Sequence, residues 1–183
     1  MSSISIARAV VLCAFTVGTA AAQQSGAAPA GPASPTVATA LAFAKGAAKN
    51  IVQAAQDMPA DKYGFKPTPA QWSFGQVVAH VTDENDQSCD PILGRTTHPT
   101  EPAATASKDA LIAALRASFD KCQQAFNGVT EAKLTSQVSY YGSNSAVVAV
   151  LFGSVSDWAD HYAQLAVYMR LNGILPPTAR QGN

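Results

Sequence analysis

The chain has 183 residues, 48% of them hydrophobic and 13% charged, with 12 basic residues balanced by 12 acidic ones. This is enough apolar material for one domain with a sizeable core. With zero formal net charge, no basic block and no interleaving of aromatic with basic residues, nucleic-acid binding has little support, and so has attachment to a membrane surface by charge.

The first 22 residues read as a secretory signal. Arg8 gives a modest positive start, Ala9 to Gly18 an apolar run, and Ala20-Ala21-Ala22 an A-x-A site before Gln23. The run is short for a membrane span, and Cys13 lies too early for a lipoprotein anchor. The expectation is a periplasmic or secreted protein with no membrane span once mature. Losing Arg8 leaves 11 basic residues (12 less one) against 12 acidic. Residues 23–35 (QQSGAAPAGPASP) offer neither charge nor large apolar groups, the composition of a flexible leader. A single domain is expected over 36–180.

Within it, Val37 to Gln56 carries Leu41, Ala44, Ala48, Ile51 and Ala55 at helical spacing, giving a first, Ala-rich helix. Met58 to Trp72 holds three prolines, which exclude a continuous helix. Tyr63, Phe65 and Trp72 are expected to pin this long loop across the core. Ser73-Phe74-Gly75-Gln76 has the capping-box pattern and opens a second helix, predicted to run to about Cys89 and to stop at Pro91. A Pro/Thr-rich loop with His98, which has no partner in view, leads to a third helix from a Ser107 cap to Asn127-Gly128. Gln137 to Tyr141 shows weak strand alternation, and Gly142-Ser143-Asn144 is read as a break. The last long helix and its exit occupy Asn144 to Pro177, with Asn172-Gly173 as a left-handed cap and Pro176-Pro177 as a stop. The predicted architecture is all-α: a four-helix bundle with long crossover loops.

Two cysteines remain after the signal, Cys89 and Cys122, on separate predicted helices. Export and an even count favour a disulfide between them; the alternative is two buried thiols. In the last helix Asp157 and His161 stand four residues apart and share one face, flanked by Val150, Ser154, Leu165 and Tyr168. Polar groups set among core-like residues need partners. On the second helix His80 lies at the margin of the apolar stripe, with Gln76, Glu84 and Gln87 on its own face. His80, Asp157 and His161 therefore compose a candidate two-histidine, one-carboxylate metal set drawn from two helices, with positions left open for water or substrate. Taken singly, an Asp-x-x-x-His pair is more often a plain hydrogen bond, and a lone histidine a satisfied one.

The segment Asp160 to Pro177 (DHYAQLAVYMRLNGILPP), together with Phe74 to Val81 (FGQVVAHV), Cys89 and Ser118 to Cys122 (SFDKC), resembles the DinB/YfiT-like superfamily from about Val37 to Arg180. That resemblance implies an up-down-down-up bundle holding a divalent metal by three histidines. One matches His80 and one His161; the remaining position is Asp157 here, a departure from the pattern. A carboxylate there makes the site harder, favouring iron, manganese or zinc, while nickel is also used in the family. The resemblance further implies metal-dependent hydrolysis, in which the metal lowers the pKa of a bound water. Glu84 is then the candidate general base or a partner behind the ligands, and Gln164 a residue that orients His161. Some relatives are thiol transferases, a role that an exported protein without a reduced thiol pool is poorly placed to fill. The alternative reading is a non-catalytic bundle that binds a small ligand or partner, its metal site degenerate. A homodimer paired through an outer helix is the assembly to test.

Overall fold

The computed structural model describes residues 34–96 and 103–180. The segment expected to be a signal peptide, the expected leader up to residue 33 and His98 lie outside the described residues.

Helix α1 (Pro35–Asp57) starts two residues before the expected point, because Ser34 caps it by accepting from the Val37 N–H and Pro35 supplies a preset first turn. Its buried face is Val37, Ala40, Ala44, Ile51, Ala54 and Ala55, mostly small, so neighbouring helices can approach closely. Its C-terminal carbonyls meet a cation: Lys108 Nζ donates to Gln56 O at 2.6 Å and Met58 O at 2.8 Å.

The proline-bearing loop is fixed from two sides. Tyr63 is buried and donates to Ala55 O at 2.5 Å, and Phe65 sits edge-on to Tyr168 with centroids 6.0 Å apart. Gly75 passes so near this loop that a Cβ there would stand 3.3 Å from the Tyr63 ring and carbonyl. Trp72 departs from expectation. It is 44% exposed and does not cross the core; its ring rests against His80 at 4.4 Å between centroids.

Helix α2 (Phe74–Ile92) opens on the reciprocal Ser73–Gln76 capping box. It outlasts the expected stop: Pro91 lies inside the last turn, and Gly94, at φ 73°, ends the element. A proline near a C-terminus forfeits only the one ladder bond its missing N–H would have made. Helix α3 (Lys108–Asn127) is capped by Ser107, which accepts from the Ala110 N–H.

The stretch read as a break is instead an antiparallel hairpin, β1 (Gln137–Tyr140) and β2 (Ser143–Ala146), in register Gln137↔Ala146 to Tyr140↔Ser143. Its two-residue turn has both central φ values positive, Tyr141 at 47° and Gly142 at 75°, which suits the right-handed twist of the strands. The hairpin also explains how helix α4 (Val147–Leu171) begins three residues later than expected and without a side-chain cap. The Val147 and Val148 N–H groups donate to Ser136 O and Leu134 O, both at 2.9 Å. Gly173, at φ 74°, closes α4, and a short α5 (Pro177–Arg180) follows.

Cross-helix contacts give the directions. Between α2 and α3, Asn85 meets Ser118, Asp86 meets Lys121 and Cys89 bonds Cys122, a near-constant offset, so these helices run parallel. Between α2 and α4, Trp72 meets Tyr168, Glu84 meets His161 and Asn85 meets Trp158, falling positions against rising ones, so these run antiparallel. Lys108 at the start of α3 meets the end of α1, antiparallel again. The order is up-down-down-up around a core that includes Ile51, Phe74, Leu115, Phe126, Leu151, Trp158 and Leu165.

The cysteines form the disulfide Cys89–Cys122, with Cα atoms 5.1 Å apart, linking α2 to α3. Such bonds persist in oxidising compartments. Among the described residues no helix is long and apolar enough to cross a membrane.

Candidate metal centre

The antiparallel crossing of α2 and α4 brings two i, i+4 pairs face to face, His80 with Glu84 and Asp157 with His161. Antiparallel pairing places the two histidine rings together, 4.9 Å between centroids and nearly perpendicular at 84°. Glu84 spans both: Oε1 lies 3.1 Å from His80 Nε2 and Oε2 3.2 Å from His161 Nε2. One ligand atom from each of His80, Glu84 and His161 lies within 4.8 Å of the others. Asp157 Oδ1 is 3.4 Å from His161 Nε2, and the Asp157 and Glu84 carboxyls share a hydrogen bond. The sequence reading named Asp157 as third ligand and Glu84 as base; in space Glu84 lies between the histidines and Asp157 flanks them.

The position of Glu84 is set by depth as well as phase. Its side chain is 16% exposed and that of His161 10%, beneath the hairpin turn. Tyr141, whose ring the turn carries over α2, donates its hydroxyl to Glu84 Oε1 at 3.2 Å. Behind the cluster runs a second set of bonds. His161 Nδ1 is 3.4 Å from Gln164 Oε1, Gln164 Nε2 donates to the Tyr168 hydroxyl at 3.1 Å, and that hydroxyl donates to Trp72 O at 3.0 Å. With the Gln164 carbonyl accepting from Nδ1–H, His161 presents Nε2 to the cluster.

The electrostatics are those of a protonated histidine beside two carboxyls that compete for one negative charge. Hydrogen bonds to Asp157 and Glu84 outweigh burial and push His161 up to about 10. Burial alone would raise Glu84, but its bonds with His161 and Asp157 and the nearby histidine charges bring it down to about 2. Asp157 moves the opposite way: burial raises it, and the neighbouring Glu84 adds to the rise against the opposing bond to His161. Two adjacent carboxyls are thus driven apart in proton affinity, as in paired acid–base sites. Burial and the Glu84 charge also raise the Tyr141 phenol, keeping it a donor at neutral pH.

Trp72 and Tyr141 were not singled out as site residues by sequence reasoning. The Tyr-Gly turn dipeptide was the available signal for Tyr141; for Trp72 it was the place just before a helix cap, which fixes where the ring must project.

The sequence profile described as the DinB superfamily matches residues 44–165. Among solved structures, the chain is similar to a DinB-like protein from Bacillus cereus (TM-score 0.63, 16% identity, covering 74% of this chain and 93% of that one). It is also similar to a conserved protein from Enterococcus faecalis (TM-score 0.61, 16% identity, covering 74% and 95%). A third similar structure is a mycothiol-dependent maleylpyruvate isomerase (TM-score 0.60, 15% identity); the match covers 70% of this chain and only 60% of the isomerase. No protein in the curated set matches the sequence.

Proposed function

Because the chain belongs to the DinB superfamily, we propose that it holds a divalent metal through His80, Glu84 and His161 and works as a metal-dependent hydrolase outside the reducing cytoplasm. The observation that carries this reading is the convergence of three ligand atoms from two helices within 4.8 Å. Ligands about 2.1 Å from a tetrahedral ion stand about 3.4 Å apart. Glu84 reaches His80 through Oε1 at 3.1 Å and His161 through Oε2 at 3.2 Å, and one atom from each residue lies within 4.8 Å of the others, so a small side-chain adjustment brings the three to one ion. Two imidazoles and one carboxylate suit zinc, iron or manganese, and nickel is accommodated by the same donors. The residues therefore fit the group. This assigns Glu84, not Asp157, as the third ligand.

A divalent ion bound there supplies a Lewis acid that acidifies water near neutral pH. The chain's own residues do the rest. Gln164 holds His161 in the tautomer that offers Nε2. Asp157, beside the cluster with its proton affinity raised, accepts a proton from the attacking water and returns it to the leaving group, the role first considered for Glu84. Tyr141 donates a hydrogen bond at the open side, steadying Glu84. Export is supported by the Cys89–Cys122 disulfide and the A-x-A site before Gln23; the mass of the protein recovered from its native compartment should begin at Gln23.

One observation favours a second reading. His161 already bonds both carboxylates, so a protonated imidazole can satisfy the cluster without an ion, as in a non-catalytic bundle that binds a small ligand. Metal analysis separates the two. Purified without chelator, the hydrolase should carry about one divalent ion per chain, lost in His80→Ala and in Glu84→Gln. A fully folded wild type with little metal decides for the second reading.

A further inference from the structure

Large aromatic side chains on a bundle surface are ordinarily turned inward, since each represents a substantial apolar area. Trp72 and Tyr141 are 44% and 52% exposed, and both touch the ligand cluster. Neither is loosely placed. Trp72 is anchored through its carbonyl by Tyr168 and lies edge-on to His80. Tyr141 sits at φ 47°, a conformation that disfavours residues with side chains, and its hydroxyl is fixed on Glu84 at 3.2 Å. His80 and Glu84 are one helical turn apart on the same face of α2, so the two rings stand at successive levels along the cluster, one beside each α2 ligand.

We infer that Trp72 and Tyr141 form an aromatic clamp around the open side of the centre, selecting aryl–acyl ligands: compounds whose carbonyl or acid oxygens reach the metal while a ring directly attached to them lies against these two side chains. This rests on the metal reading above. The Tyr141 hydroxyl is spent on Glu84, so Tyr141 presents ring surface outward, and Trp72, held at its backbone carbonyl by the Tyr168 hydroxyl, presents its indole ring. Ring surface recognises another ring by offset or edge-on stacking, with little demand on its substituents.

The test uses the full mature chain loaded with zinc and two probes with the same chelating head, benzohydroxamate and acetohydroxamate, titrated by calorimetry. The phenyl probe should bind about tenfold more tightly than the methyl probe, the gain expected from stacking on two rings. Trp72→Ala with Tyr141→Ala should reduce the ratio to near one. Tyr141→Phe, which keeps the ring and loses only the bond to Glu84, should preserve it. Equal affinities on zinc-loaded wild type would overturn the clamp while leaving the metal reading intact, and so would a preference that survives the double alanine variant. A wild type that retains no zinc would remove the metal reading, and this inference with it.

Discussion

Helix α2 sends polar side chains into two seams, and the contrast between them shows what separates a structural polar cluster from a site. Toward α3 it contributes Asn85, Asp86, Cys89 and Asp90, all buried. Here bonds close into chains that end: Trp158 Nε1 donates to Asn85 Oδ1 at 2.5 Å, Asn85 Nδ2 to Ser118 Oγ at 2.9 Å, and Ser118 to Leu115 O at 2.9 Å. Lys121 pairs with both Asp86 and Asp90, and Arg95 reaches Asp90 at 3.4 Å. Of the buried side-chain polar atoms among the described residues, Asp86 Oδ2 alone has no hydrogen-bond partner. Toward α4 the same helix contributes His80 and Glu84, where two imidazoles and two carboxylates crowd one spot open to solvent. Burial of polar groups is common to both seams. Three ligand-bearing side chains converging within 4.8 Å, with a further carboxyl beside them and no Lys or Arg among them, occur only in the second.

The sharpest way to break that comparison is to remove the cation from the closed seam. Lys121→Met leaves Asp86 and Asp90 buried beside an apolar chain, and should cost about 3–5 kcal/mol in denaturant unfolding. Because this seam is structural, the variant, where folded, should still bind one zinc. Loss of zinc without loss of stability would show that the two seams are not separate.

Reducing the disulfide acts on the same side. Cys89 and Cys122 are 33 residues apart, and closing a loop of that length stabilises by about 3–4 kcal/mol in the chain-entropy description. Unfolding followed with and without reductant should show that difference.

An opposite result is expected in the α2–α4 seam. Gln164→Leu removes the acceptor behind His161 Nδ1 and should weaken zinc binding about 10–100-fold, the usual effect of losing a partner behind a ligand. Unfolding of the metal-free protein should move by only about 1 kcal/mol, because the Tyr168 hydroxyl loses the bond it accepts from Gln164 but keeps the one it donates to Trp72 O. A large stability loss with unchanged zinc affinity would make Gln164 a packing residue.

The sequence disclosed the two seams unequally, for physical reasons. Helical periodicity fixes angle around the axis, so His80, Asp157 and His161 could be assigned to facing sides, and Ser73 and Ser107 could be read as caps because capping needs particular side chains at particular offsets. Depth is not periodic. Glu84 and Asp157 each lie one turn from a histidine, and what distinguishes them is the hairpin laid over α2. That hairpin was largely invisible: four-residue strands with half-exposed faces carry almost no alternation. The N–H groups at the start of α4 bond backbone carbonyls of Leu134 and Ser136, which leave no trace in side-chain identity. The cysteine pair was legible from count and placement alone.

The smallest effect, and the one that tests the electrostatics of the open seam directly, is the pH dependence of the metal-free protein. Folded His161 keeps its proton up to about 10, whereas an ordinary histidine releases it near 6.5. The native state therefore binds more protons across that window, so stability fully present below pH 6.5 is lost as pH rises toward 10. On the acid side Glu84, held down to about 2 from 4.5, gives stability that is lost as pH falls through that range. The raised Asp157 works against it, because folding favours its protonated form. The acid limb should therefore be shallow and the alkaline limb the steeper of the two. Zinc competes with the His161 proton, so saturating metal should flatten the alkaline limb, and zinc affinity should rise with pH toward 10. Urea midpoints from pH 6 to pH 10, with and without zinc, would measure both. An alkaline limb that persists unchanged in saturating zinc would mean that the ion, if bound, does not displace the His161 proton.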